Sequence, residues 1–173
     1  SIRAFFLVML EVTIPAGAEV LINEIMADPA QDWDGDGAYS YRDDEWVEVL
    51  NTGPETVDLT GYWLRDGTDE AAHLNLFGML AAGEVAVFTG SQAAAWQVET
   101  GLPVEGLSLN NTGDTVELLM SIPDTVGPEL ELLDAATYLD HEAEDDRSSG
   151  RDPLGQGWFL YDGLNPYGGS QDP

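Results

Sequence analysis

A chain of 173 residues is long enough for one domain with a proper core and short for two, and a hydrophobic share of 43% keeps an ordered fold the default. Its 33 acidic residues face five basic ones, all arginine, and the net charge of -28 repels phosphate backbones and anionic membranes while attracting cations. Cysteine is absent, which excludes disulfides, thiol catalysis and cysteine-ligated metals.

The chain divides into an apolar arm over residues 1–18 and a domain over 19–173. In the arm, Arg3 precedes an apolar run from Ala4, and Ala16-Gly17-Ala18 has the small-x-small form of a signal-peptidase site. Glu11 interrupts the run, and the stretch is far shorter than the roughly 18–20 residues that span a bilayer. The expectation is a retained arm, with a signal peptide as the alternative; both place the protein outside the cytoplasm, in the extracellular space or at the cell surface.

Beyond Ala18 the periodicity is that of strands and turns. Glu19 to Ala27 reads as a strand stopped by Asp28-Pro29, and an acidic, glycine-containing loop runs on to Asp44. Glu45 to Leu50 reads as a second strand, Tyr62 to Leu64 as a short one and Glu84 to Thr89 as a strongly β-like one. One helix is expected, capped by Ser91, carried by Ala93 to Val98 and stopped by Gly101. Leu107 to Leu109 is expected as a short strand, and Asn110 to Asp114 as a tight turn with Gly113 at positive φ. Thr115 to Met120 and Glu129 to Leu139 follow, and Trp158 to Tyr161 is expected as an edge strand or docking segment in a tail rich in Gly, Pro and Ser. Roughly eight short strands between turn signals predict an all-β sandwich of Greek-key type.

The sharpest motif is Asp32-Trp33-Asp34-Gly35-Asp36-Gly37, the D-x-D-x-D-G opening of a calcium loop. Calcium takes about six to eight oxygen ligands, and alternating aspartates converge on one point where glycine permits a sharp turn. By this count Asp32, Asp34 and Asp36 supply carboxylates, Ala38 a backbone carbonyl and Ser40 the water-bridged position. Asp43 stands where glutamate is usual, and Asp44 or Glu45 makes up the deficit. The competing expectation is an acidic, solvated loop. A second acidic run, His141 to Asp146, matches no ligand spacing and reads as solvated. The two histidines, His73 and His141, belong to no hydrolase or zinc-protease motif, so no enzyme is expected. Glu24, Glu45 and Glu48 are expected to face solvent or the metal loop, and Arg65, Arg147 and Arg151 to make salt bridges.

Four pieces in order carry a family likeness: Ile22-Asn23-Glu24-Ile25 with Asp28-Pro29, then Glu45-Trp46-Val47-Glu48 with Asn51, then Val57 to Leu64, then Leu109 to Leu118. With Ser149, Arg151, Trp158 and Asn165-Pro166 near the end, the chain resembles a lamin-tail domain from Glu19 to about Ser170. That resemblance implies an immunoglobulin-like sandwich and, in bacteria, a secreted or surface module.

The retained arm would be an apolar strand with nothing to cover it, carried by Phe5, Phe6, Leu7, Val8, Met9, Leu10, Val12 and Ile14. Strand addition to a neighbour solves this, and a head-to-tail contact that does not close builds a filament. The expectation is therefore a non-enzymatic, calcium-stabilised subunit that polymerises with itself, with neither nucleic-acid partner nor membrane span. The alternative is a monomeric surface module for a glycan or protein ligand.

Overall fold

The computed structural model describes residues 20–122, 129–152 and 158–161. Its elements in chain order are β1 (Val20–Met26), β2 (Trp46–Asn51), β3 (Val57–Asp58), β4 (Tyr62–Asp66), β5 (Leu74–Asn75), β6 (Met79–Leu80), β7 (Val85–Thr89), α1 (Gly90–Thr100), β8 (Gly113–Ser121), β9 (Leu130–Leu139), β10 (Ser148–Arg151) and β11 (Trp158–Tyr161). A five-stranded sheet runs β11-β10-β1-β2-β7, a four-stranded sheet β5-β4-β8-β9, and β3 pairs with β6. All these pairings are antiparallel. The chain is an all-β immunoglobulin-like sandwich with one short helix.

The core forms where the two larger sheets meet. Ile22, Val47, Val49 and Phe88 come from one, and Leu64, Leu74, Val116, Leu118 and Tyr138 from the other. In β4 and the first half of β8 the buried residues alternate, the period of a strand with one covered face. β2 is buried almost throughout, and at its start Trp33 of the preceding loop lies edge-on against Trp46, with ring centroids 6.1 Å apart.

Two bulges tie the sheets together. The β1–β2 register shifts between Ile22 and Glu24, so Ile22 and Ile25 both reach the core. The β8–β9 register shifts beside Asp134. Ile22 N donates to Asp134 Oδ2 at 2.9 Å, Arg151 Nε donates to Ile22 O at 2.6 Å, and the Arg151 guanidinium pairs with Asp134 at 2.5 Å. The same guanidinium lies 5.1 Å from the ring centroid of Trp158 in β11. Arg65 pairs with Glu117 and Arg147 with Glu144, as the scarcity of cations suggests.

Three local expectations are corrected. The helix cap is Thr89, not Ser91: Thr89 accepts from Gln92 N and Gln92 returns the bond to Thr89 N, a capping box that starts α1 at Gly90. Leu107 to Leu109 is no strand, since Gly106 (φ 68) and Ser108 (φ 63) turn the backbone left-handed and leave the two leucines as buried plugs. Glu24, Glu45 and Glu48 do not face solvent; all three are buried, Glu45 at the base of the aspartate loop. Ser148–Arg151 also goes beyond the sequence reading. A tail segment by composition, it is an interior strand in which a Cβ on Gly150 would lie 2.4 Å from the Tyr161 ring and 3.1 Å from Glu24 Cγ.

Candidate metal centre

The loop between β1 and β2 is organised around one buried carboxylate. Asp44 is fully buried and accepts from Trp33 N at 2.7 Å, Asp34 N at 3.0 Å and Ser40 N at 2.8 Å. Three backbone donors on one anion satisfy its charge and fix the ends of the turn. Asp32 does the same one layer out, accepting from Gly35 N at 2.7 Å and Gly37 N at 2.8 Å. Gly35 (φ 77) and Gly37 (φ 92) take the positive φ that this path demands. Asp34 accepts from Asp36 N and Asp36 from Ala38 N, at 3.0 and 2.7 Å.

These turns bring carboxylate oxygens of Asp32, Asp34 and Asp36 within 4.8 Å of one another. The donors are all oxygen, the set a hard cation such as calcium takes, and each retains lone pairs beyond those used by the loop amides. Asp43 and Asp44 lie outside that group. Asp44 points inward, and Asp43 meets α1 through its backbone carbonyl, which accepts from Ser91 N at 3.1 Å. Ala38 and Ser40 lie in the same loop, Ser40 Oγ accepting from Asp43 N at 3.4 Å. The arm residues Phe5, Phe6, Leu7, Val8, Met9, Leu10, Val12 and Ile14 fall outside the described residues.

The second acidic run is not simply a solvated loop. Asp146 Oδ1 accepts from Ala30 N and from Trp33 Nε1, each at 2.8 Å, and Asp146 N donates to Asp28 O at 2.9 Å. Asp28, Asp145, Asp146, Asp140 and His141 thereby line one open cleft of about 830 Å³. Burial pushes the Asp28 carboxyl above the usual range, and the Asp145 and Asp146 charges push it further against the opposing Asn111 hydrogen bond.

At the base of the loop, Glu45 is held by Leu109 N at 3.2 Å, and burial raises its carboxyl to about 8. The Leu109 bond and Arg42 oppose that rise, while Asp114 and Asp28 add to it. Glu45 O accepts from Gly90 N at 2.8 Å, so the loop ends on the first turn of the helix. Among the described residues a further group, Asp69, His73 and Glu105, also brings ligand atoms within 4.8 Å. Its only signal in the sequence is the four-residue spacing of Asp69 and His73; Glu105 comes from a distant loop.

No described helix is long and apolar enough to cross a membrane. The family model of the Lamin Tail Domain matches residues 13–138. No curated protein and no solved structure matches the chain.

Proposed function

This chain belongs to the Lamin Tail Domain family, and from that membership we propose a non-enzymatic structural subunit of the extracellular space or cell surface. It holds calcium in the Asp32–Asp44 loop and assembles head to tail with further copies of itself. The observation that carries this reading is the convergence of the Asp32, Asp34 and Asp36 carboxylates. Three like charges so close repel one another until a cation neutralises them. Asp34, Asp36, Ala38 and Ser40 would complete the oxygen shell with Asp32, and Asp43 and Asp44 support it through the loop's frame.

Assembly draws support from the arm's apolar sequence and from the shape of β9. That ten-residue strand pairs only with β8 among the described residues, and Leu132 and Leu139 on it are exposed. An apolar strand from a second copy is the occupant this edge suits. A net charge of -28 opposes contact between copies at low ionic strength, so cation binding and assembly are linked.

Electron microscopy of the intact chain in calcium tests the proposal. Filaments that vanish on deletion of residues 1–18 and on chelation are the expected result. A field of single particles in calcium would replace the subunit with a monomeric binding module for a glycan or protein ligand.

A further inference from the structure

The loop between β4 and β5 carries a histidine, His73, that is 4% exposed. Its Nδ1 lies 3.2 Å from Gly106 O, and its Nε2 lies 2.7 Å from Asp69 Oδ2. A carbonyl oxygen only accepts, so Nδ1 carries a proton there. With Nδ1 turned to that carbonyl, Nε2 is the ring atom that faces the Asp69 carboxylate and is free to serve as a ligand.

The surroundings are built to hold that ring. The buried Gln97 accepts from Glu105 N at 2.7 Å and from Gly106 N at 3.0 Å. Its amide donates to His73 O at 3.0 Å and to Gly106 O at 2.8 Å. One side chain thus locks the histidine's backbone to the carbonyl that sets its tautomer and to the segment bearing Glu105. An imidazole whose far nitrogen bonds a backbone carbonyl is the arrangement that orients histidine ligands on metals. Carboxylate oxygens of Asp69 and Glu105 complete a group within 4.8 Å, beside a cleft of about 260 Å³ that Leu102 and Pro103 also line.

We propose that Asp69, His73 and Glu105 bind a divalent ion of the first transition row, zinc or a zinc-like ion, with its remaining coordination positions open to this cleft. One imidazole and two carboxylates favour such an ion over calcium, which takes oxygen alone. Ligand atoms around zinc stand roughly 3.3 Å apart, so Asp69 must draw back by about half an ångström. Its side chain is 44% exposed and has solvent to move into. The site shares no residue with the aspartate loop and stands whether or not that loop binds calcium.

The test is zinc titration of the intact chain in excess calcium, with cobalt as a spectroscopic probe. One ion per chain is expected, with cobalt absorption in the visible range. Asp69→Asn and Glu105→Gln, both at exposed positions, should each weaken binding at least tenfold, while Asp32→Asn and His141→Gln leave it unchanged. Absence of zinc binding, unaltered affinity in both site variants, or a loss that follows Asp32→Asn or His141→Gln would each overturn the proposal.

Discussion

Between the ordinary carboxyl range and about pH 8, burial lets Glu45 keep a proton in the folded chain that the unfolded chain releases. Burial sets its carboxyl at about 8 against an ordinary value of 4.5. The folded value is the raised one, so the stability this group contributes is complete below the ordinary carboxyl range and drains away as pH climbs to about 8. Urea unfolding should show a midpoint that falls between about pH 5 and about pH 9, and a Glu45→Gln chain should flatten that fall and surpass the parent at the alkaline end. Gly90 is a steric requirement on the same contact. A Cβ there would lie 1.7 Å from Arg42 O, a backbone atom that no rotamer change can move. Gly90→Ala should cost about 3 kcal/mol or more in the same assay; a loss under about 1 kcal/mol would mean that the loop end shifts freely.

The elements divide by how local their causes are. Asp32, Asp34 and Asp36 converge through turns between near neighbours, so their spacing alone announces the cluster. The helix stop at Gly101 (φ 73) and the positive φ of Gly113 are equally local and equally legible. Asp44 reads as a ligand but is the buried hub on which the loop amides close, a distinction set by burial under the sandwich. Asp146 and Arg151 act across more than a hundred residues; scarcity of cations marks Arg151 as a salt-bridge former, but no window of sequence names the partners of either. β10 was hidden by composition, because serine and glycine serve there as small residues under Tyr161 and Glu24. Asp44→Ala should therefore cost about 3 kcal/mol by removing a charged acceptor from three backbone donors. Unfolding in chelator should show that loss already, because the defect is in the frame and does not require the cation.

For the whole molecule the governing quantity is charge. A net -28 on 173 residues disfavours the compact state through self-repulsion, which salt screens. Raising sodium chloride from about 10 mM to about 150 mM shortens the screening length from roughly 30 to roughly 8 Å, and the melting temperature should rise with it. Calcium at matched ionic strength should raise it further, by several degrees at a hundredfold excess over its dissociation constant. Equal effects of the two salts would mean screening alone, with no cation held in the aspartate loop.

The position of β1 governs the order of events as the chain emerges and folds. It lies inside its sheet between β2, which follows it closely, and β10, whose Ser148 bonds Glu24 from 124 residues away. The β1–β2 pair can form early, but its outer edge must wait for β10, so the fold is high in contact order and slow to close. Through that interval β1 offers unsatisfied amides to any passing strand, its own or another molecule's. Pulse-labelled hydrogen exchange should find the β1 amides facing β10 among the last to gain protection.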